Sequence, residues 1–263
     1  MRILTNIAIL VLELGLISAT AWLAYIQPLA FAALTVGLIL VVGAGLEWVR
    51  LNHEFPFYVG NQQPHANSNL KPNSLRTVVL LVMACSEVII KALLAGGVAL
   101  MTFSGSDANR LWLTAVLFGT VTFLGTSVLR RLSRSFDVRP TRWGYFRLAV
   151  PLGVAFSLGI QMLVYLDRIE LKTLQEIATT IVFELPAHPS LPQVSEFLFN
   201  IKQTLDALIY EFLKQLITSE AASAVATLIS LNILSGLVVA IYAVLIADVV
   251  RRLEAGGNRQ PCN

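Results

Sequence analysis

The sequence predicts an all-α membrane protein with six transmembrane helices, and three observations carry that prediction. The first is composition. Hydrophobic residues make up 56% of the 263 positions and charged residues only 13%, about half the roughly 25% of a soluble domain; the mean hydropathy is +0.72. A chain with so little polar surface belongs in lipid. The second is the division of the chain into apolar runs separated by polar breaks. The third is the side on which the arginines and lysines fall once those runs are threaded through a bilayer.

The first span is expected from about Leu4 to Tyr25. A secretory signal peptide cut after Ala21 is the competing reading. Glu13 inside the supposed apolar region and a second apolar run directly behind it argue against that. Gln27-Pro28 makes a tight uncharged turn into the second span, about Leu29 to Val49, which ends at Trp48 and Arg50 as an interfacial segment does. Residues 51–75 are rich in Asn, Gln and Pro, lack a helical period, and read as a cytoplasmic loop.

The third span, Arg76–Met101, is the run around which the others are organised, because it carries Glu87 and Lys91 near its middle. A short Gly/Asp turn leads to the fourth span, about Leu111 to Leu129. The Arg-rich segment 130–147 follows, with Arg130, Arg131, Arg134, Arg139, Arg142 and Arg147 against the single acid Asp137. The fifth span reaches from Leu148 to Tyr165, with Pro151 expected in its first turn, where proline costs little.

From Asp167 to Glu220 the chain is amphipathic. Leu171, Leu174, Ile177, Ile181 and Leu185 share one helical face. Beyond the turn Pro186–Pro192, the apolar positions Val194, Leu198, Ile201, Leu205, Leu208 and Phe212 alternate in steps of four and three, the seam of a coiled coil. With no Pro or Gly interrupting 161–185 or 193–234, the fifth and sixth spans are expected to continue straight out of the membrane. The resulting extracytoplasmic helical hairpin over 167–220 would have an arm of roughly 30 Å at 1.5 Å per residue. The sixth span is placed at about Ala221 to Ala247, ending in Asp248 and Arg251-Arg252.

Threading follows from the cations. With both termini cytoplasmic, the inner side receives Arg2, then Arg50, Lys71 and Arg76, then the six arginines of 130–147, then Arg251, Arg252 and Arg259. The outer side receives Arg110, Arg168, Lys172, Lys202 and Lys214, and 167–220 holds eight acids against four bases. The net charge of +3 therefore reflects topology rather than nucleic-acid binding.

Charges inside a span cost about 2.5–3.5 kcal/mol each on insertion scales, which makes them functional candidates. Glu13, Glu87 and Lys91 are the three. Glu87 and Lys91 stand one turn apart in the favourable Glu-to-Lys order. Glu13 lies eleven residues from Arg2, as Glu87 does from Arg76. These residues either neutralise one another or form a proton or cation path. The arginines of 130–147 are candidates for contact with anionic lipid headgroups or a partner. The seam at Val194–Phe212 is the candidate for oligomer contact.

Hydrolase, P-loop and His-Glu-x-x-His signatures are absent, and so are Cys-x-x-Cys and paired intramembrane histidines. No enzyme activity, metal or cofactor is expected. The expected role is an integral membrane subunit of an oligomeric or multi-protein assembly, in contact with the bilayer and with a second copy or a partner membrane protein. The alternative is a proton- or cation-coupled channel or transporter using Glu13, Glu87 and Lys91. The expected location is a bacterial-type inner membrane.

Overall fold

The computed structural model describes residues 2–45, 48, 72–104, 107–136, 145–169, 189–218, 221–223, 225–226 and 230–257. The chain is all-helical over these residues. In order, the elements are α1 (Arg2–Ile26), α2 (Pro28–Leu38), which widens into a π turn at Ile39–Gly43, α3 (Pro72–Phe103), α4 (Ala108–Ser135), α5 (Tyr145–Tyr165), α6 (Leu191–Lys214), a 3-10 turn (Leu231–Leu234) and α7 (Ser235–Gly257).

Among the described residues, five segments are long and apolar enough to cross a membrane: Ile7–Ile26, Leu81–Phe103, Ala108–Ser135, Arg147–Tyr165 and Asn232–Glu254. The expected second span is the exception. Within the described residues its apolar helix, Pro28–Gly43, is shorter, about 24 Å at 1.5 Å per residue against a hydrocarbon core of about 30 Å. Residues 51–71, the first arm of the expected hairpin and residues 258–263 lie outside the described residues, and 72–75, expected in the loop, belong to the start of α3.

α7 is the hub. Its apolar stretch is 78% buried, against 22% for α1, and it packs along α5 and α4 and touches α1 and α3. Glycine sets the closest of these approaches. A methyl on Gly236 would run into the Ala149 carbonyl and the backbone of Gly153, and one on Gly153 into the Ile233 carbonyl. α5 and α7 thus meet backbone to backbone, as small residues permit in membranes.

An aromatic box fills the middle. Phe31 from α2 stacks on Tyr242 from α7 at 5.4 Å and meets Phe103 of α3 and Phe118 of α4 edge-on at 5.1 and 5.4 Å. The Tyr242 hydroxyl is 3.1 Å from Thr35 Oγ1, whose hydroxyl also donates to the Phe31 carbonyl at 2.8 Å. Thr102 and Ser235 join α3 to α7 at 2.9 Å.

Three expectations are corrected. Pro151 is not in a first turn: α5 begins at Tyr145, so Pro151 is interior and removes the bond that would reach the Arg147 carbonyl. α5 does not run on past the membrane. It closes at Tyr165 with Asp167 N–H on the Val164 carbonyl at 3.0 Å and Arg168 N–H on the Leu163 carbonyl at 2.9 Å. Asp167 is at φ 51°. That is a Schellman closure with aspartate at the left-handed position, which Asp tolerates better than most residues. The last span also lies further along the chain than expected. The path from α6 breaks at 215–217, and Ser230 caps the 3-10 turn that opens α7, its Oγ accepting from Asn232 N–H at 3.0 Å. Asp248 therefore falls inside the span, 8% exposed, paired with Arg252 at 2.8 Å.

Candidate functional site

The residues singled out by sequence gather at three places. The first is where α6 meets the ends of α3 and α4. α6 begins with a capping box: Gln193 Oε1 accepts from Ser190 N–H at 2.8 Å, satisfying a donor that would otherwise be left open. The helix then sets its polar stripe against the bundle. Ser195 is buried and hydrogen-bonds Ser104 at the end of α3. Phe199 is buried with the Arg110 guanidinium 4.6 Å from its ring centre, a cation–π contact. Lys202, 4% exposed, donates to Asp206 at 2.8 Å.

Burial pushes the Lys202 ammonium below the usual lysine range, and nearby Arg110 adds to that shift. Asp206 opposes it. Asp107 caps α4 through Asn109 N–H at 3.0 Å and brings Arg110 to this junction.

The consequence is that the seam faces away from the bundle. Val194, Leu198 and Ile201 are half-buried, while Leu205, Leu208 and Phe212 are exposed, Phe212 at 63%.

The second place is a charge network at the opposite end of α4. Arg130 donates from Nη1 to Glu13 Oε2 and from Nη2 to Glu254 Oε1, both at 2.5 Å, and Arg134 reaches the same Glu254 oxygen at 2.7 Å. Glu13 is fully buried. Its Oε1, like Arg130 Nε, finds no hydrogen-bond partner among the described residues. Two acids and two arginines from α1, α4 and α7 thus neutralise one another, close to the ends of α4 and α7. Arg251 of α7 adds a bond to Ser133 of α4.

The third place is the Glu87–Lys91 pair on α3, formed as the spacing predicts, with Lys91 Nζ 2.8 Å from Glu87 Oε1 and Lys91 buried. Glu13 and Glu87 are held by different cations on different helices, so the three proposed ion-path residues belong to two separate pairs.

Of the six arginines, Arg130 turns inward rather than towards headgroups. Arg131 and Arg147 are exposed, and Arg134 is 65% exposed while still bonded to Glu254. Arg139 and Arg142 lie outside the described residues. No group of three His, Cys, Asp or Glu side chains placed to hold a metal occurs among the described residues.

No known protein family, curated protein or solved structure matches the chain. A functional reading therefore rests on these three places.

Sequence reasoning overlooked Arg130 and Glu254 as partners for Glu13. A signal was present: Arg130 ends an apolar run and follows Leu129 without a break, so it sits on the helix rather than in a loop. Lys202 and Asp206 also stand one turn apart. Nothing in the linear order shows that their stripe packs inward.

Proposed function

We propose that the chain is an integral membrane subunit of an oligomeric or multi-protein assembly and meets its neighbour through the outward seam of α6. The supporting observation is the orientation of that helix. Ser195 is spent on Ser104, the Phe199 ring on Arg110 and Lys202 on Asp206, which leaves Leu205, Leu208 and Phe212 without cover from the bundle. An apolar stripe of this spacing on a segment outside the spans is suited to a second amphipathic helix. Exposed Arg131, Arg134 and Arg147 offer a cationic surface for anionic headgroups or a partner at the other end. The proposed role is non-catalytic, and the proposed membrane is a bacterial-type inner membrane with both termini on the cytoplasmic side, in keeping with the distribution of arginines.

The test is the mass of the complex in nanodiscs for wild type and for Leu205→Asp/Leu208→Asp. A multi-chain wild-type particle that falls to a single chain in the variant, with helix content retained, is expected. A single-chain wild-type particle, or an unchanged complex in the variant, refutes the reading.

A further inference from the structure

A groove of about 390 Å³ lies between α1 and α4. At its floor, an added Cβ on Gly119 would sit in ordinary contact with Ile17 and Ala21, 3.5 and 3.6 Å away. Trp22 and Trp112 line one end. They meet edge-on at 6.3 Å, and Tyr25 lies 5.7 Å from Trp112. At the other end stands Phe123. Both walls belong to membrane-spanning segments, and Trp22, Trp112 and Val116 are 55%, 45% and 45% exposed.

We propose that this groove binds one acyl chain of a membrane lipid. Length supports this. Trp112 to Phe123 covers about 16 Å of helix, close to the roughly 15 Å that is half of the hydrocarbon core. Tryptophan and tyrosine rings gather at membrane–water boundaries, so the Trp22–Trp112 end lies at headgroup level and the groove runs inward from there across one leaflet. The chemistry of the walls agrees. Of the two hydroxyl residues in the lining, Ser18 and Thr120, Thr120 is already bonded to the Val116 carbonyl at 2.9 Å, so the lining suits a lipid tail rather than its headgroup. The proposal does not depend on the assembly role of α6.

The experiment reconstitutes the full chain in liposomes of phosphatidylcholine containing a trace of the same lipid with a photoactivatable diazirine on its acyl chain, and maps the adducts by mass spectrometry. Adducts on the groove residues of α1 and α4 are expected at several times the level at Leu93 and Val150, which are exposed on other spans (68% and 62%). Val116→Phe, which fills the groove, should reduce groove labelling about fivefold and leave Leu93 unchanged. Thr120→Phe serves the same end if the first variant does not fold. Groove labelling in wild type no higher than at Leu93 overturns the proposal. So does a second polypeptide cross-linked at Val116 in place of lipid.

Discussion

Removing Arg130 should destabilise the bundle far more than removing Arg130 and Glu13 together. In Arg130→Met, Glu254 keeps Arg134 at 2.7 Å, so that acid remains paired. Glu13 does not. It is fully buried on α1, and Arg130 is the cation to which it is bonded. Stranding a buried charge in this way costs about 3–5 kcal/mol, or a rise of roughly 10²- to 4 × 10³-fold in the unfolding equilibrium constant at 1.4 kcal/mol per decade. In Glu13→Leu/Arg130→Met the stranded charge is gone and an apolar side chain meets the methionine, so the cost should fall to within about 1 kcal/mol of wild type. Glu13→Leu alone should lie between them, because Arg130 keeps Glu254. The assay is reversible unfolding in mixed detergent–SDS micelles followed by far-UV circular dichroism, run as a double-mutant cycle. A single mutant and a double mutant of equal stability would show that Arg130 contributes through packing. The network would then not be what holds α1 to α4 and α7.

Other predictions follow from the same contacts. Phe31→Ala removes the ring shared by three neighbours in the aromatic box and should cost about 3–5 kcal/mol in the same unfolding assay. Tyr242→Phe should cost only about 1 kcal/mol, because Thr35 keeps its bond to the Phe31 carbonyl. Gly236→Ala drives a methyl into the Ala149 carbonyl and should cost about 2 kcal/mol or more by forcing α5 and α7 apart, read as a lowered unfolding midpoint. Lys202, whose proton affinity is lowered in the folded state, binds fewer protons folded than unfolded between its lowered pKa and the ordinary 10.5. Stability should therefore rise with pH across that window, and the rise should be missing from Lys202→Met and so appear in the wild type minus Lys202→Met difference. A flat difference would show that Asp206 compensates its burial fully.

Some of this was legible in the order of residues and some was not. Apolar runs mark α1, α3, α4 and α5 because length and hydropathy are local properties. The Glu87–Lys91 bridge follows from helical spacing alone. What escapes is where helices stop when neither glycine nor proline stops them. α5 ends on Asp167, a residue that enters the left-handed region only because two backbone bonds close around it. The last span illustrates a second limit. The apolar stretch from Ala221 to Val250 is longer than a bilayer requires, so hydropathy fixes that it crosses but not which part. Gly153 and Gly236, which lock α5 against α7, decide the matter through contacts more than eighty residues apart in sequence.

The orientation of α6 was hidden for a different reason, and it bears on what the molecule does. Reasoning from soluble proteins turns an apolar stripe inward. In this chain the solvent around the spans is itself apolar, so the bundle gathers its charges inside and shows leucine and valine outside. Glu13 with Arg130 and Glu87 with Lys91 obey that rule within the spans. α6 obeys it as well, with Lys202 and Asp206 turned in and Leu205, Leu208 and Phe212 turned out, although its acidic character places it beyond them. A helix that keeps the membrane's polarity outside the core requires an apolar neighbour there. If that neighbour were lipid, Leu205→Asp/Leu208→Asp would lift α6 off the bilayer and expose Lys202 to hydrogen exchange, with the particle mass unaltered. If it is protein, as proposed, the mass changes first and Ser195 of α6 stays against Ser104 at the end of α3.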